Sequence, residues 1–278
     1  VAGEYAAVKI VECSGIGLGS RWRERGGFWF ARCHARYFAA KPQQTAPKCC
    51  APHHQCGDTA CMQDPFPQHR LSLARIAGSA KVIPPEFLHS PQYNCEPLSD
   101  ALGCQLTIKL DFTNPIRSFK GRGASFFVSE MQQRGDKRAI VCASAGNWGQ
   151  AMAYVCRSYG LPITIYASVN ANPLKVARMK ALGAQVRQEG LDFDAAKDAA
   201  KAYAHSINGW MVEDGLEVEI SEGHGTMAME LLSGYAREGA ALDAVTIPLG
   251  NGAMLNGMAR WFKAASPATR VLGVCAAN

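Results

Sequence analysis

Short apolar runs alternate with amphipathic helical segments from Arg138 onward, and this alternation constrains the fold more than any other feature. Short apolar runs bounded by turn residues are typical of buried strands, whereas apolar residues at every third or fourth position are typical of helices. The predicted strands are 139–143, 163–166, 184–187, 210–212, 243–249 and 270–274, and the predicted helices are 150–159, 173–182, 193–205, 226–237 and 254–264. This β–α repetition favours an α/β fold in which parallel sheets carry helices on both faces.

The composition is that of a globular protein, with 48% hydrophobic and 19% charged residues among 278. The net charge of +6 is modest, and no Lys- or Arg-rich run is interleaved with aromatic residues, which argues against nucleic acid as a partner. No apolar run approaches the roughly 18 residues of a membrane span, and the first residues lack the apolar stretch of a signal peptide. We therefore expect a cytoplasmic protein that binds no membrane.

Residues 1–70 differ from the rest, with many Gly, Pro, Cys, Gln and Arg residues and no sustained period. Prolines interrupt any long element there, so we expect an irregular, poorly ordered leader. Six of the eleven cysteines fall in it, at positions 13, 33, 49, 50, 56 and 61, with His53 and His54 among them. A zinc site is one interpretation, but the absence of paired C-x-x-C spacings favours free thiols. The later Cys142 and Cys156 lie in apolar runs and are predicted core residues.

Lys120 lies in the stretch Ser118–Gly123 (SFKGRG), between a segment stiffened by Pro115 and a predicted helix. The helix is predicted from Gly121 onward because apolar residues recur at positions 124, 127, 128 and 131. At a helix N-terminus the positive end of the dipole disfavours an ammonium group, and a neutral amine is the form that reacts with an aldehyde. Lys120 is therefore a candidate nucleophile, although such a position taken alone more often holds an exposed surface lysine.

Two further glycine-marked turns join a predicted strand to a predicted helix, at 144–150 (SAGNWGQ) and 250–254 (GNGAM). The Ser144 hydroxyl and the backbone N–H groups of the first turn can hold a carboxylate, and Asn147 can bond a phenolic oxygen. The second turn, at a helix N-terminus, can hold a phosphate. Either turn alone is equally typical of simple helix capping. We expect all three glycine-marked stretches to follow strands at one edge of a parallel sheet. Because ligands of such folds bind beyond the carboxyl ends of strands, the three stretches should converge.

A lysine that can bind an aldehyde and a turn that can bind a phosphate are together the two attachment points of pyridoxal phosphate. Five motifs support this interpretation: SFKGRGA (118–124), SAGNWGQAMAY (144–154), PLKVARMKALGAQV (173–186), EGHGTMAMEL (222–231) and IPLGNGAMLNG (247–257). In order and spacing they resemble the fold-type II pyridoxal-phosphate enzymes, and most of all the threonine/serine dehydratases. The resemblance runs from about Ile83 to Val274 and includes the opening segment 97–103 (PLSDALG).

This resemblance implies the tryptophan synthase β-like fold, in which two domains have mostly parallel sheets flanked by helices. Residues 71–124 and 226–278 would form the large cofactor domain, and residues 125–225 the small domain. The family continues past the point that corresponds to Asn278, so we expect a chain that is truncated at its C-terminus. The family's contact to the pyridine nitrogen and its divalent-metal ligands would lie in that later part, and no metal ligand is predicted within this sequence.

The resemblance also implies roles for individual residues. Lys120 would form the Schiff base with the cofactor and then act as the base at the substrate α-carbon, while Phe119 would pack near the cofactor ring. Asn147 would bond the ring hydroxyl, and residues 222–226 would border the cofactor pocket. The implied phosphate-binding residues are Gly250, Asn251, Gly252, Ala253 and Met254, and the implied substrate-carboxylate residues are Ser144, Ala145 and Gly146.

The reaction implied by the resemblance is β-elimination on a small amino-acid substrate. L-Threonine or L-serine loses its hydroxyl group as water, and the product hydrolyses to a 2-oxo acid and ammonia. Dimers are common in the family, so the resemblance also implies a homodimer.

Several departures from the dehydratase pattern keep other branches of the family open. The usual phosphate loop has four glycines and a leucine, whereas Asn251, Ala253 and Met254 stand in this one, and a Gly-Asn pair resembles threonine synthase. Trp148 replaces a common histidine, and Cys275 stands where an acidic residue is usual. The alternatives are threonine synthase, a racemase, a β-replacement synthase, or an inactive fragment that keeps the fold as a binding module.

Overall fold

The computed structural model describes residues 8–12, 64–237 and 240–276, and it has the α/β architecture expected from the alternation. The strands are β1 (Val8–Glu12), β2 (Gln92–Asn94), β3 (Thr107–Lys109), β4 (Ile140–Ala143), β5 (Ile163–Ala167), β6 (Gln185–Gln188), β7 (Trp210–Met211), β8 (Ala244–Pro248) and β9 (Arg270–Ala276). The helices are α1 (Leu73–Ser79), α2 (Glu96–Leu102), α3 (Lys120–Gln133), α4 (Asn147–Ser158), α5 (Pro173–Ala181), α6 (Phe193–Ser206), α7 (Val218–Arg237) and α8 (Ala253–Ala265). No helix within the described ranges is long and apolar enough to cross a membrane.

A four-stranded sheet has the order β6-β5-β4-β7, and all neighbouring strands in it are parallel. Every residue of β4 and β5 is buried, as expected for short, mainly apolar runs inside a parallel sheet. Cys142 of β4 and Cys156 of α4 both lie in the core around this sheet, as predicted. Burial raises the pKa of the Cys142 thiol far above its ordinary value and raises that of Cys156 to about 12. Both thiols therefore stay protonated at neutral pH.

A second sheet has the order β1-β9-β8, with β8 parallel and β1 antiparallel to β9. Residues 8–12 belong to the leader that was predicted to be irregular, so that prediction is wrong for this segment. The segment is ordered by pairing with a strand at the far end of the chain, and such pairing leaves no local period in the sequence. The six leader cysteines, His53 and His54 lie outside the described residues.

Strands β2 and β3 pair antiparallel ahead of Lys120, in a hairpin whose connection contains helix α2. The sequence predicted that all three glycine-marked stretches follow strands at one edge of a parallel sheet. The turns after β4 and β8 do follow parallel strands, but Lys120 follows the loop 110–119 that leaves the hairpin. This part of the prediction is wrong, and the position of the lysine is set by the loop.

The helix ends follow local capping rules. Helix α6 begins at residue 193 as predicted, and Asp192 caps it, because its side chain accepts a hydrogen bond from the Ala195 N–H at 2.8 Å. Pro173 begins α5 as predicted, where its fixed φ suits the first helical turn. The preceding Asn172 accepts the Leu174 N–H at 2.9 Å and completes this cap.

Helix α7 begins at Val218, well before the start predicted at Thr226. The glycines of EGHG (222–225) lie inside the helix, at close contacts with other helices. A Cβ added to Gly223 would lie 2.8 Å from the carbonyl oxygen of Arg122 in α3. The small residues therefore let α7 pack closely against its neighbours, which include α1, α3 and α8.

Among the described residues, three hydrophobic clusters lie against the two sheets, and the smallest packs α6 against β4 and β5. The other two are larger. One packs α3, α4 and α5 against the four-stranded sheet, and the other packs α1, α7 and α8 against β8 and β9. The domain boundaries predicted after residues 124 and 225 fall inside α3 and α7. The division of the chain into a large and a small domain stays a prediction.

Candidate active site

The loop that carries Lys120 is fixed by one asparagine side chain. Asn114 donates from Nδ2 to the carbonyl oxygens of Asp111 and Ser118, at 3.1 and 3.0 Å, and accepts the Ser118 N–H at 3.2 Å. The Ser118 hydroxyl in turn accepts the Lys120 N–H at 3.3 Å. These bonds close the loop into a turn, and Lys120 becomes the first residue of α3.

The Lys120 amine has two close neighbours. Its Nζ lies 4.7 Å from the centre of the Phe119 ring, and it forms an ion pair with the carboxylate of Asp214. The lysine and aspartate side chains are 14% and 11% exposed, so the pair is largely withdrawn from solvent. Sequence reasoning missed Asp214, because it belongs to none of the motifs. Its place just after a short strand of the parallel sheet was the signal that could have revealed it.

Arg122, two residues after Lys120, anchors the start of α3. Its side chain is 1% exposed and donates hydrogen bonds of 2.5 to 3.2 Å to Asp111, Glu230 and Thr226. Burial opposes the charge, but the bonds with Glu230 and Asp111 raise the pKa of Arg122, so the guanidinium stays charged. The network joins the loop, α3 and α7, and it fixes the backbone from which the lysine projects.

The turn after β4 is closed by the Ser144 hydroxyl. Its buried oxygen accepts the N–H groups of Gly146 at 3.1 Å and Gly149 at 2.9 Å. The helix that follows begins at Asn147, earlier than the start predicted at Gln150, and the Asn147 side chain is exposed. Because the two N–H donors occupy only the lone pairs of Ser144, its hydroxyl hydrogen can be donated to an acceptor such as a carboxylate.

The turn after β8 is open on its outer side. Gly252 has a φ of +92° at the start of α8, a backbone conformation that favours glycine. Asn251 accepts the Ala253 N–H at 3.2 Å and donates from Nδ2 to the carbonyl oxygen of Asp214 at 2.8 Å. No described atom lies within 4 Å of a Cβ added to Gly250. An open glycine turn at a helix N-terminus can receive an anionic group such as phosphate.

The structure brings the predicted site residues together in two ways. Phe119, Asn147 and Met254 line one cavity of about 770 Å³ between the β2–β3 hairpin and β8. The Asp214 carboxylate pairs with Lys120, and the Asp214 carbonyl oxygen accepts a hydrogen bond from Asn251 in the turn after β8. The predicted site residues that do not line this cavity are Lys120, Ser144, Ala145, Gly146, Gly250, Asn251, Gly252 and Ala253.

His224 of α7 lies behind Phe119. The imidazole is fully buried, its ring centre is 5.0 Å from that of Phe119, and neither ring nitrogen has a hydrogen-bond partner in the described structure. Burial, with the nearby charges of Lys120 and Arg122, lowers the pKa of His224 well below its ordinary value. The imidazole is therefore neutral and acts as a packing surface for Phe119. That the segment 222–226 borders a cofactor pocket stays a prediction.

The family model described as pyridoxal-phosphate dependent enzyme matches residues 85–278. The chain belongs to this family. The described residues fit pyridoxal phosphate, since Lys120 offers an amine for the aldehyde and the turn after β8 offers an open cradle for the phosphate. The Asn147 amide, on the wall of the cavity, offers a partner for the phenolic oxygen.

Known members of the family resemble this chain over the matched region. The L-threonine dehydratase biosynthetic IlvA of Corynebacterium glutamicum is 31% identical over 188 residues, which are 66% of this chain and 43% of that protein. The L-threonine ammonia-lyase of Thermotoga maritima is 30% identical over 181 residues, which are 65% of this chain and 44% of that protein. The processed form of threonine deaminase isoform 2 from Solanum lycopersicum has a TM-score of 0.63 at 28% identity, over 72% of this chain and 53% of that chain. The chain spans less than half the length of the two curated relatives.

Proposed function

We propose that this pyridoxal-phosphate enzyme is an ammonia-lyase that converts L-threonine or L-serine to a 2-oxo acid and ammonia. The observation that supports it most is the placement of Lys120, whose amine lies at the start of α3 and is linked through Asp214 to the open turn after β8. The names of the similar dehydratase and ammonia-lyase support the choice of reaction within the family.

The site residues would act on different parts of the reactants. Bound pyridoxal phosphate supplies an electron sink for the charge that remains when a proton leaves the substrate α-carbon. Lys120 would attach the cofactor and, as a neutral amine, remove that proton. The turn at 144–146 would bind the substrate carboxylate, residues 250–254 would bind the phosphate, and Asn147 would bond the phenolic oxygen. The substrate hydroxyl group then leaves as water, and the product is hydrolysed to the 2-oxo acid and ammonia.

Replacement of the lysine tests the proposal. Lys120→Ala should abolish the visible absorption band that pyridoxal phosphate gives when attached to the protein. It should also lower 2-oxobutanoate release from L-threonine at least roughly a thousandfold, because both the attachment point and the base are lost. Lys180→Ala, on an exposed position of α5, is the control and should change neither property. An unchanged visible spectrum in Lys120→Ala would contradict the assignment of the lysine.

A second candidate function is that of threonine synthase, which the Gly250-Asn251 pair favours. The Asn251 side chain is part of the turn, since it bonds both the Ala253 N–H and the Asp214 carbonyl oxygen. Formation of threonine from O-phosphohomoserine, without 2-oxobutanoate from L-threonine, would replace the first proposal by this one. A visible band without turnover of either compound would direct attention to a racemase, a β-replacement synthase or an inactive member.

We also propose a homodimer in the cytoplasm, on the resemblance alone. Analytical sedimentation of the purified chain measures its mass in solution. A mass close to 29.9 kDa, that of one chain, would contradict the dimer.

A further inference from the structure

Asp214 lies between the lysine and the turn after β8, in the short segment that joins β7 to α7. Val212 continues the parallel pairing with β4 through its N–H, which aims the following residues at the carboxyl end of the sheet. Gly215 has a φ of +102°, and a Cβ there would lie 3.1 Å from the carbonyl oxygen of Asn251. The glycine lets the segment close against the turn, and this closure brings the Asp214 carboxylate to Lys120.

The negative charge of the Asp214 carboxylate is balanced by the Lys120 amine. Its Oδ2 pairs with the lysine amine, and its Oδ1 is buried without a hydrogen-bond partner among the described residues. His224 of α7 lies near both Lys120 and Arg122 and interacts with the charges of both. Arg122 is engaged by other carboxylates, and His224 is neutral and buried. Within the described structure, Asp214 is therefore the carboxylate that pairs with this amine.

We propose that Asp214 is a positioning residue that holds the Lys120 amine beside Phe119 by an ion pair, and that this pair must open before a cofactor aldehyde can react with the amine. The proposal rests on the proposed role of Lys120 as the cofactor-binding lysine. Attachment forms a C=N bond to the lysine nitrogen, releases the aldehyde oxygen as water and passes one proton from the ammonium to solvent. Only the neutral amine can attack, and a neighbouring carboxylate favours the protonated form. Asp214 thus keeps the lysine in the cleft and slows its attachment at neutral pH.

The test measures the reactivity of the amine in the cofactor-free protein. Samples are treated with trace acetic anhydride from neutral to alkaline pH, and mass spectrometry gives the acetylation rates of Lys120 and Lys197. Asp214→Asn, which keeps the shape and removes the charge, should raise the Lys120 rate about tenfold at pH 7. The difference between the two proteins should shrink as the pH rises, because the ion pair requires the ammonium form of the lysine.

Glu213→Gln is the matched control, because the adjacent carboxylate pairs with Lys197 of α6. It should raise the acetylation rate of Lys197 and leave that of Lys120 unchanged. Asp214→Glu, which restores the charge, should return the Lys120 rate toward that of the unaltered protein. If Asp214→Asn does not fold, Asp214→Ser is measured in the same way.

The outcomes separate this inference from the proposed function. Equal Lys120 rates with and without the Asp214 charge overturn the inference. A difference that persists at alkaline pH also overturns it, since that reports altered access to the amine. After addition of pyridoxal phosphate at neutral pH, the rate at which the visible band grows should rise in Asp214→Asn by the same factor as the acetylation rate. If acetylation follows the prediction but no band forms in any protein, the cofactor role of Lys120 fails while the control of the amine by Asp214 stands.

Discussion

The turns after β4 and β8 start from similar sequence, an apolar run followed by small residues and a helix, yet they are built differently. Strand β4 is buried along its whole length, whereas β8 has a single fully buried residue, Ile247. The first turn is stabilised by bonds within it, because the Ser144 hydroxyl accepts two backbone N–H groups of the same turn. The second turn is supported from outside, through the bond between Asn251 and Asp214. One turn is set by local sequence, and the other depends on a distant segment.

The glycines of the two turns show the same difference. A Cβ added to Gly149 would lie 2.5 Å from the Met179 sulfur and 3.2 Å from the Ser144 Cβ, so this glycine serves packing. A Cβ added to Gly250 would meet no described atom within 4 Å. Glycine at position 149 therefore allows close packing of the core, whereas glycine at position 250 leaves room for a ligand.

The largest expected effect comes from substituting valine at these two glycines. Gly149→Val should lower the free energy of unfolding by about 3 kcal/mol, because the added atoms overpack the core at Met179. Gly250→Val should change it by less than about 0.5 kcal/mol, since its surroundings are open. Urea unfolding followed by circular dichroism measures both variants. Equal losses of stability would remove the distinction between the turns.

A smaller effect on stability is expected when the turn after β4 loses the Ser144 hydroxyl. Ser144→Ala leaves two backbone N–H groups without their acceptor and should lower the free energy of unfolding by about 1 kcal/mol. Ser158→Ala is the control at the other end of α4, where an exposed hydroxyl bonds the Tyr154 carbonyl oxygen at 3.1 Å. Urea unfolding should show a loss of only a few tenths of a kcal/mol for the control. A loss in Ser144→Ala no larger than in Ser158→Ala would show that the first turn is held by packing alone.

The comparison also explains what the sequence could predict. The elements around β4 were predicted well, because buried strands and capped helices carry their signal in neighbouring residues. Asp192 and Pro173 are examples, since each fixes a helix start by a bond or a dihedral angle within one turn of the chain. Lys120 could be singled out for the same reason, as it directly precedes an amphipathic helix.

Features that depend on tertiary contact were missed. Asp214 follows a short strand, which places it at the carboxyl end of the sheet, but its pairing with Lys120 joins two segments that lie far apart in the sequence. The early start of α7 was missed because glycine is unfavourable inside a helix, whereas Gly223 lets α3 approach. The pairing of residues 8–12 with β9 joins opposite ends of the chain. Each case is a tertiary override of a local preference.

Asn251→Ala should have the smallest effect on stability. Its effect is also the most specific to the turn after β8, which is supported by a distant segment. The side chain is exposed, so the free energy of unfolding should change by less than about 0.5 kcal/mol. The dissociation constant for pyridoxal phosphate should rise about fivefold, because binding must then order a turn that Asp214 no longer holds in place. Asn170→Ala is the control, since it removes an equivalent bond of an exposed asparagine to the Leu191 carbonyl oxygen. Titration of cofactor-free protein, followed by visible absorbance, measures the affinity. Equal affinities in the two variants would mean that the turn keeps its shape without Asp214, and that both turns are locally built after all.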